Sequence, residues 1–102
     1  MSEHKAIELN GKQRRSLRAL AHSLKPVVQV GNAGLSDAVL NEIDLALSHH
    51  ELIKVRMHGP EDKKAAADAL AQRTGAALCG VIGHTVILFR PDPDDPKVVL
   101  TA

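Results

Sequence analysis

The sequence has few of the residues on which several kinds of protein depend. Its 102 residues include one cysteine, one phenylalanine, and neither tryptophan nor tyrosine. A lone cysteine, Cys79, cannot form an intramolecular disulfide or a cysteine-based zinc cluster, so a reducing cytoplasm is the expected location. The scarcity of aromatic residues excludes a binding surface built from several stacking platforms, as many proteins that bind single-stranded nucleic acid have.

Long apolar runs are also missing. No run approaches the roughly 20 residues that a membrane-spanning helix needs, and the start of the chain, MSEHKAIELNGKQRR, lacks the apolar segment of a secretory signal. With 44% hydrophobic and 25% charged residues, the chain is predicted to form one soluble domain without a membrane partner, and we expect a monomer.

Charge is unevenly distributed along the chain. The net charge is only +1, yet residues 1–30 carry six Lys or Arg against two Glu. This imbalance predicts one positive patch, for which a solvated helix face is the alternative interpretation.

Periodicity and turn residues predict an α-β-α-β-α-β-β order. The expected helices cover about residues 10–23, 36–49 and 61–74, and the expected strands cover 26–30, 52–58, 76–82 and 85–90. Each β-α-β step implies a parallel crossover, whereas Gly83-His84 suits a type II′ hairpin that makes the last pair antiparallel. The predicted fold class is α/β, a single compact domain with a mixed four-stranded sheet packed by helices.

The first helix is predicted to be amphipathic, since at about 100° per residue its leucines and its cations fall on opposite sides. Its apolar side comprises Leu17, Leu20 and Leu24. Its cationic outer side comprises Arg14, Arg15, Arg18 and His22.

Residues 31–34, GNAG, join a predicted strand to a predicted helix. They lack the full dinucleotide fingerprint and the Lys-Ser/Thr of a P-loop. Either they form a plain turn, or outward backbone N–H groups and the helix dipole bind an anion, as in the GXXG loop of KH domains. Lys54 and Arg56 lie on a strand predicted to pair beside the strand that leads into this loop. Together with the basic first helix and the scarcity of aromatic residues, they favour a phosphate-centred site for structured RNA.

Catalysis and metal binding find little support. His49 and His50 are adjacent, so they point apart instead of sharing a face as a helical metal pair does. A nucleophilic Cys79 would need a His and an orienting residue close to it in space, and Cys79 lies in a strand predicted to be core. We therefore predict neither an enzyme nor a cofactor or metal site.

Ordered blocks of the chain resemble a known family. LNGKQRRSLRALAHSLKPVVQVGNAGLSDAVLNEIDLALSHHELIKVRM, followed by CGVIGHTVILFRP, closely resembles the CRM domain (chloroplast RNA splicing and ribosome maturation) in its stand-alone bacterial YhbY-like form, over about residues 9–91. The resulting division is a flexible N-terminal arm (1–9), a CRM-like RNA-binding domain (10–91) and an acidic, proline-rich tail (92–102). The tail is expected to be mobile, with residues 98–100 as its candidate docking point.

The resemblance implies a fold similar to the C-terminal domain of bacterial translation initiation factor three, and contact with ribosomal RNA in precursors of the large (50S) subunit during assembly. Family members often have Lys where this chain has Asn32, so backbone N–H groups, the Asn32 amide and neighbouring basic residues are expected to provide more of the binding. The alternative is an adaptor that docks on a ribosomal protein or assembly factor without touching RNA. The predicted RNA-binding residues are Gly31, Asn32, Ala33, Gly34, Lys12, Arg14, Arg15, Arg18, Lys25, Lys54 and Arg56.

Overall fold

A computed structural model describes residues 8–31, 34–59 and 62–98. Within these ranges the predicted order of elements is confirmed, with boundaries that differ by at most two residues. None of the described helices is long and apolar enough to cross a membrane. The elements are α1 (Gly11–Ala21), β1 (Val28–Val30), α2 (Asp37–His50), β2 (Leu52–Met57), α3 (Lys63–Thr74), β3 (Ala77–Ile82) and β4 (Thr85–Phe89).

Each helix begins at a polar side chain that accepts a hydrogen bond from the first turn. Asn10 accepts from the Gln13 N–H at 2.7 Å, and the Gln13 side chain accepts in return from the Asn10 N–H at 3.1 Å, which completes a capping box. Ser36 and Asp62 cap α2 and α3 through bonds of 3.2 and 3.1 Å to the N–H three residues on. Gly75, at φ 69°, ends α3 in the left-handed conformation that glycine adopts at low cost.

The sheet is mixed and has the strand order β1-β2-β4-β3. β1 pairs with β2 in parallel, and β4 pairs antiparallel with both β2 and β3. The two-residue turn Gly83-His84 joins β3 to β4, with Gly83 at φ 59°, as a type II′ hairpin requires. Because β4 lies between β2 and β3, β2 occupies an interior position beside the short edge strand β1.

Helices cover the sheet on both faces. The side chains shared by α2, α3 and one sheet face form a large cluster: Val28, Val30, Ile43, Leu47, Ile53, Val55, Met57, Ala67, Leu70, Ala71, Ala76, Val86 and Leu88. The smaller cluster under α1, on the opposite face, comprises Leu17, Ala21, Leu52, Cys79, Ile87 and Phe89. Since alternate residues of a strand point to opposite faces, Lys54 and Arg56 lie on the α1 face.

Helix α1 is rolled about its axis relative to the predicted orientation. Leu17 and Ala21 are fully buried, whereas Leu20 and Leu24, predicted on the apolar side, are 54% and 40% exposed. Leu20 and Leu24 border an apolar groove of about 500 Å³ together with Val27. Leu17 and Ala21 belong to the cluster under α1, and Arg18 is half-buried, so the buried side of the helix lies nearer the arginines than predicted.

The packing of Arg18 against β3 accommodates this rotation of α1. Its Nη1 donates a hydrogen bond of 2.9 Å to the Cys79 carbonyl, and the side chain is half-buried. A Cβ placed on Gly80 would lie 2.7 Å from the Arg18 Cδ. Glycine at this position of β3 therefore provides the space through which the arginine stem passes.

The described part of the tail is attached more firmly than the sequence indicates. The buried carboxylate of Glu51 accepts hydrogen bonds from the N–H groups of Asp92, Lys97 and Val98 at 2.6, 2.9 and 2.7 Å. Val98 also packs against the cluster under α1. The rest of the predicted docking point, residues 99 and 100, lies outside the described residues.

Candidate nucleic-acid interface

The two glycines of the GNAG loop have different structural roles. The Gly34 N–H donates a hydrogen bond to the Gly31 carbonyl at 3.0 Å, and Gly34 has φ +72°, a conformation that favours glycine. Gly31 is exposed, has no positive φ, and a Cβ there would meet nothing within 4 Å. The fold therefore does not itself require glycine at position 31. Asn32 and Ala33, predicted to bind RNA, lie outside the described residues.

Fewer backbone donors face outward at the loop exit than the sequence indicates. The Gly34 N–H already donates to the Gly31 carbonyl, and the Ser36 N–H donates to the Gly34 carbonyl at 3.0 Å. The first residue of α2, Asp37, places a carboxylate at the positive end of the helix dipole. An anion bound here would compete with that carboxylate, so neighbouring cations gain importance.

A shallow cleft of about 370 Å³ lies beside the loop, and it is lined by Gln29, Val30, Gly31, Arg56 and His58. Gln29 and Arg56 are opposite each other in the β1–β2 ladder, as expected if β2 pairs beside β1. None of the described residues that line the cleft is acidic. Gln29 and His58 are absent from the predicted site. The alternation of polar residues along β2 identifies the face on which His58 lies, but nothing local singles out Gln29.

The predicted cations of α1 do not all remain available for a ligand. Lys12, Arg14 and Arg15 are exposed, although the Arg14 Nη1 donates to the Leu9 carbonyl at 3.0 Å. Lys25, just beyond the helix, is exposed as well. The guanidinium of Arg18 instead holds α1 against β3 through the contact described above.

Lys54 also has a structural contact. Its ammonium donates to the carbonyls of His22 and Leu24 at 3.3 and 3.1 Å, at the C-terminal end of α1. Carbonyls at a helix end carry partial negative charge that a cation stabilises. Lys54 therefore anchors the helix on the sheet, and Arg56, two residues along and exposed, is the β2 cation left facing the cleft.

Cys79 lies in β3, whereas His49 and His50 lie at the end of α2. Burial raises the pKa of the Cys79 thiol to about 12, despite the opposing effect of Arg18 and Arg14, so the thiol stays protonated at neutral pH. The rings of His49 and His50 are 6.3 Å apart and tilted by 55°. No three His, Cys, Asp or Glu side chains in the described ranges converge on a position that could hold a metal ion.

Comparison with known proteins places this chain in a family. Residues 9–90 match the model of the CRS1/YhbY (CRM) domain. A Haemophilus influenzae protein named as an RNA-binding protein is 46% identical over 94 residues, which cover 90% of this chain and 94% of that protein. YqeI of Bacillus subtilis, named as a probable RNA-binding protein, is 38% identical over 90% of this chain and 98% of its own.

A solved structure agrees with this assignment. The solution structure of the Staphylococcus aureus protein SAV1595, for which RNA binding has been suggested, superposes with a TM-score of 0.81 at 35% identity. The match covers 92% of this chain and 100% of that protein. The chain therefore belongs to the CRS1/YhbY (CRM) domain family.

Proposed function

We propose that this chain is an RNA-binding protein that contacts ribosomal RNA in precursors of the large ribosomal subunit. The observation that carries the proposal is the cleft at Gly31, where an exposed glycine lies beside Arg56 and His58 and no described lining residue is acidic. The names of its relatives, which refer to RNA binding, support the RNA-binding part of the proposal.

The chemistry of this surface suits a sugar-phosphate backbone. Arginine and lysine neutralise phosphates, and a glycine without a fold-imposed role lets a backbone approach the main chain closely. The exposed cations that would contribute are Lys12, Arg14, Arg15, Lys25 and Arg56. Phosphate contacts position an RNA without reading its sequence, so this surface would select RNA by shape.

The large-subunit part of the proposal rests on the resemblance to bacterial YhbY-like proteins. The role that fits is to hold a segment of ribosomal RNA during subunit assembly in the cytoplasm, without a chemical step.

Crosslinking in living cells tests this function. Irradiation, capture of the tagged full chain and sequencing of the attached RNA should give reads that cluster in large-subunit ribosomal RNA. Crosslinks spread in proportion to RNA abundance, or concentrated in another RNA class, would contradict the ribosomal part of the proposal.

The second candidate is the adaptor that docks on a ribosomal protein or assembly factor. One observation favours it, the apolar groove bordered by the exposed side chains of Leu20, Leu24 and Val27. Treatment of captured large-subunit precursors with nuclease separates the two functions. Association lost on RNA digestion supports RNA binding, and association that persists supports the adaptor.

A further inference from the structure

One row of residues crosses the α1 face of the sheet next to the Gly31 cleft. Gln29 of β1 is opposite Arg56 of β2, Arg56 is opposite Thr85 of β4, and Thr85 is opposite Ile82 of β3. Residues opposite each other in a ladder point to the same face. We refer to Gln29, Arg56, Thr85 and Ile82 as the open row.

Helix α1 leaves this row uncovered because it packs over the neighbouring ones. Its buried residues share a cluster with Leu52, Ile87 and Phe89, and its C-terminal end is held by Lys54. In contrast, Gln29 and Arg56 are exposed, Thr85 is half-buried and Ile82 is 61% exposed. The open row therefore forms a strip of accessible sheet beyond the edge of the helix.

The strip combines an unneutralised cation with polar and apolar groups. The salt bridges within the described ranges join Lys64 to Asp68 and Arg90 to Asp44, and neither involves Arg56. The row thus presents a guanidinium plane, an amide, a hydroxyl and a branched alkyl side chain side by side.

We propose that the open row is a platform for unpaired RNA nucleotides, with one base stacked on the Arg56 guanidinium. Splayed bases of single-stranded RNA stack on aromatic rings or on arginine planes. The one aromatic residue of the Phe, Tyr and Trp class, Phe89, is fully buried, and no side chain of the open row is aromatic, so the Arg56 guanidinium takes this role within the row. Gln29 and Thr85 supply hydrogen bonds to base edges, and Ile82 contacts the next base.

The length of the row suits more than one nucleotide. Four strands are separated by three spacings of about 4.8 Å, so the row is about 14 Å long, against the roughly 3.4 Å between stacked bases of one strand. The inference rests on the proposed function and adds a preference for unpaired RNA beside the loop.

The decisive variant is Arg56→Lys, because it keeps the positive charge and removes the plane. Fluorescence anisotropy with the full chain would compare a labelled uridine octamer with a labelled, blunt-ended RNA duplex that has no unpaired nucleotides, at one salt concentration. Stacking on one base predicts that Arg56→Lys weakens octamer binding by about fivefold or more, whereas duplex binding falls less because Lys keeps the charge that contacts a phosphate. The matched control is Arg73→Lys, at an exposed position on α3 of the opposite layer.

Other results of the anisotropy measurement would contradict the inference or the proposed function. If Arg56→Lys binds the octamer as the parent does, or loses both RNAs equally, Arg56 is not a stacking platform and the inference fails while RNA binding stands. If the parent binds neither RNA, the proposed function fails as well. Unchanged amide chemical shifts away from position 56 would establish that the variant is folded.

Discussion

The side-chain carboxylate of Glu51 accepts a hydrogen bond of 2.7 Å from the N–H of Val98, 47 positions further along the chain. Burial by itself would raise the pKa of Glu51, but hydrogen bonds from the backbones of Asp92, Val98 and Lys97 stabilise the charge and bring the pKa below its ordinary value. The segment that carries Val98 against the cluster under α1 is therefore held by a carboxylate that must be ionised.

The first prediction concerns the stability that Glu51 provides. Glu51→Gln replaces one acceptor oxygen by an amide donor that faces backbone N–H groups, so the free energy of unfolding should fall by about 1.5–3 kcal/mol. Urea denaturation followed by circular dichroism measures the change. The control Glu42→Gln, at an exposed position on α2, should stay within about 0.5 kcal/mol of the parent.

The same carboxylate predicts a pH dependence. The folded-state pKa of Glu51 is lowered, so its ionised carboxylate contributes fully to the free energy of unfolding above the unfolded-state pKa of about 4.3. This stabilisation is lost as the pH falls through the folded-state pKa. The parent should therefore lose more stability on acidification than Glu51→Gln does. Parallel stability curves for the two proteins between neutral and acidic pH would show that Glu51 is not the group responsible.

A second prediction separates two arginines of α1. Arg18→Gln removes the contact to the Cys79 carbonyl and should lower the free energy of unfolding by about 1 kcal/mol. Arg15→Gln, at an exposed position, should leave stability within about 0.5 kcal/mol and weaken RNA binding instead. Denaturation and anisotropy measurements on both variants check this division, which a stability loss confined to Arg15→Gln would refute.

Salt dependence provides a third prediction. About four or five phosphate contacts predict a slope of about −3 to −4 for the logarithm of the association constant against the logarithm of salt concentration. Titrations with RNA at several potassium chloride concentrations measure the slope. A nearly salt-independent affinity would rule out a phosphate-centred interface.

The fourth prediction uses the open space around Gly31. Gly31→Asp should fold normally, because no atom lies within 4 Å of the added Cβ, yet a negative charge about 4 Å from a phosphate costs about 1 kcal/mol even in water, or about fivefold in affinity. The neutral variant Gly31→Ala isolates bulk from charge. RNA binding by a folded Gly31→Asp protein at the parent's affinity would remove the loop from the interface.

The fifth prediction runs in the opposite direction. Asp37→Asn removes a carboxylate from the first turn of α2, next to the loop. RNA affinity should rise by up to about fivefold at low salt, and stability should fall by about 0.3–1 kcal/mol because the helix dipole loses a favourable charge. If anisotropy shows no gain, the phosphate does not approach this helix end.

Much of the fold follows from local patterns in the chain. The alternation of apolar and polar residues along β2 is that of a half-buried strand, and Ile53, Val55 and Met57 are buried together on one face of the sheet. The start of α2 at Ser36 and the end of α3 at Gly75 follow from residues that satisfy helix ends. These predictions succeed because strand and helix periodicity, helix capping and tight turns each depend on residues within about four positions of one another.

The candidate site is less accessible from sequence. The alternating pattern of β2 and its positive charges identify Arg56 as a candidate site residue, and the loop glycines are recognisable as turn residues. By contrast, Gln29 joins the site through a strand register, and Arg18 and Lys54 turn out to hold α1 in place. A helical wheel cannot reveal the roll of α1, because the roll depends on the space that Gly80 leaves in another strand.

By itself the sequence determined the elements, their order, the α/β class and the basic character of the N-terminal third, since each depends on composition or short-range periodicity. Only the tertiary structure decided that β4 lies between β2 and β3, that α1 stops short of the open row, and that Glu51 binds the tail. These features depend on which segments, distant in the sequence, pack against one another. Close packing requires that the surfaces of whole helices and strands fit together, and short-range sequence patterns do not encode that fit.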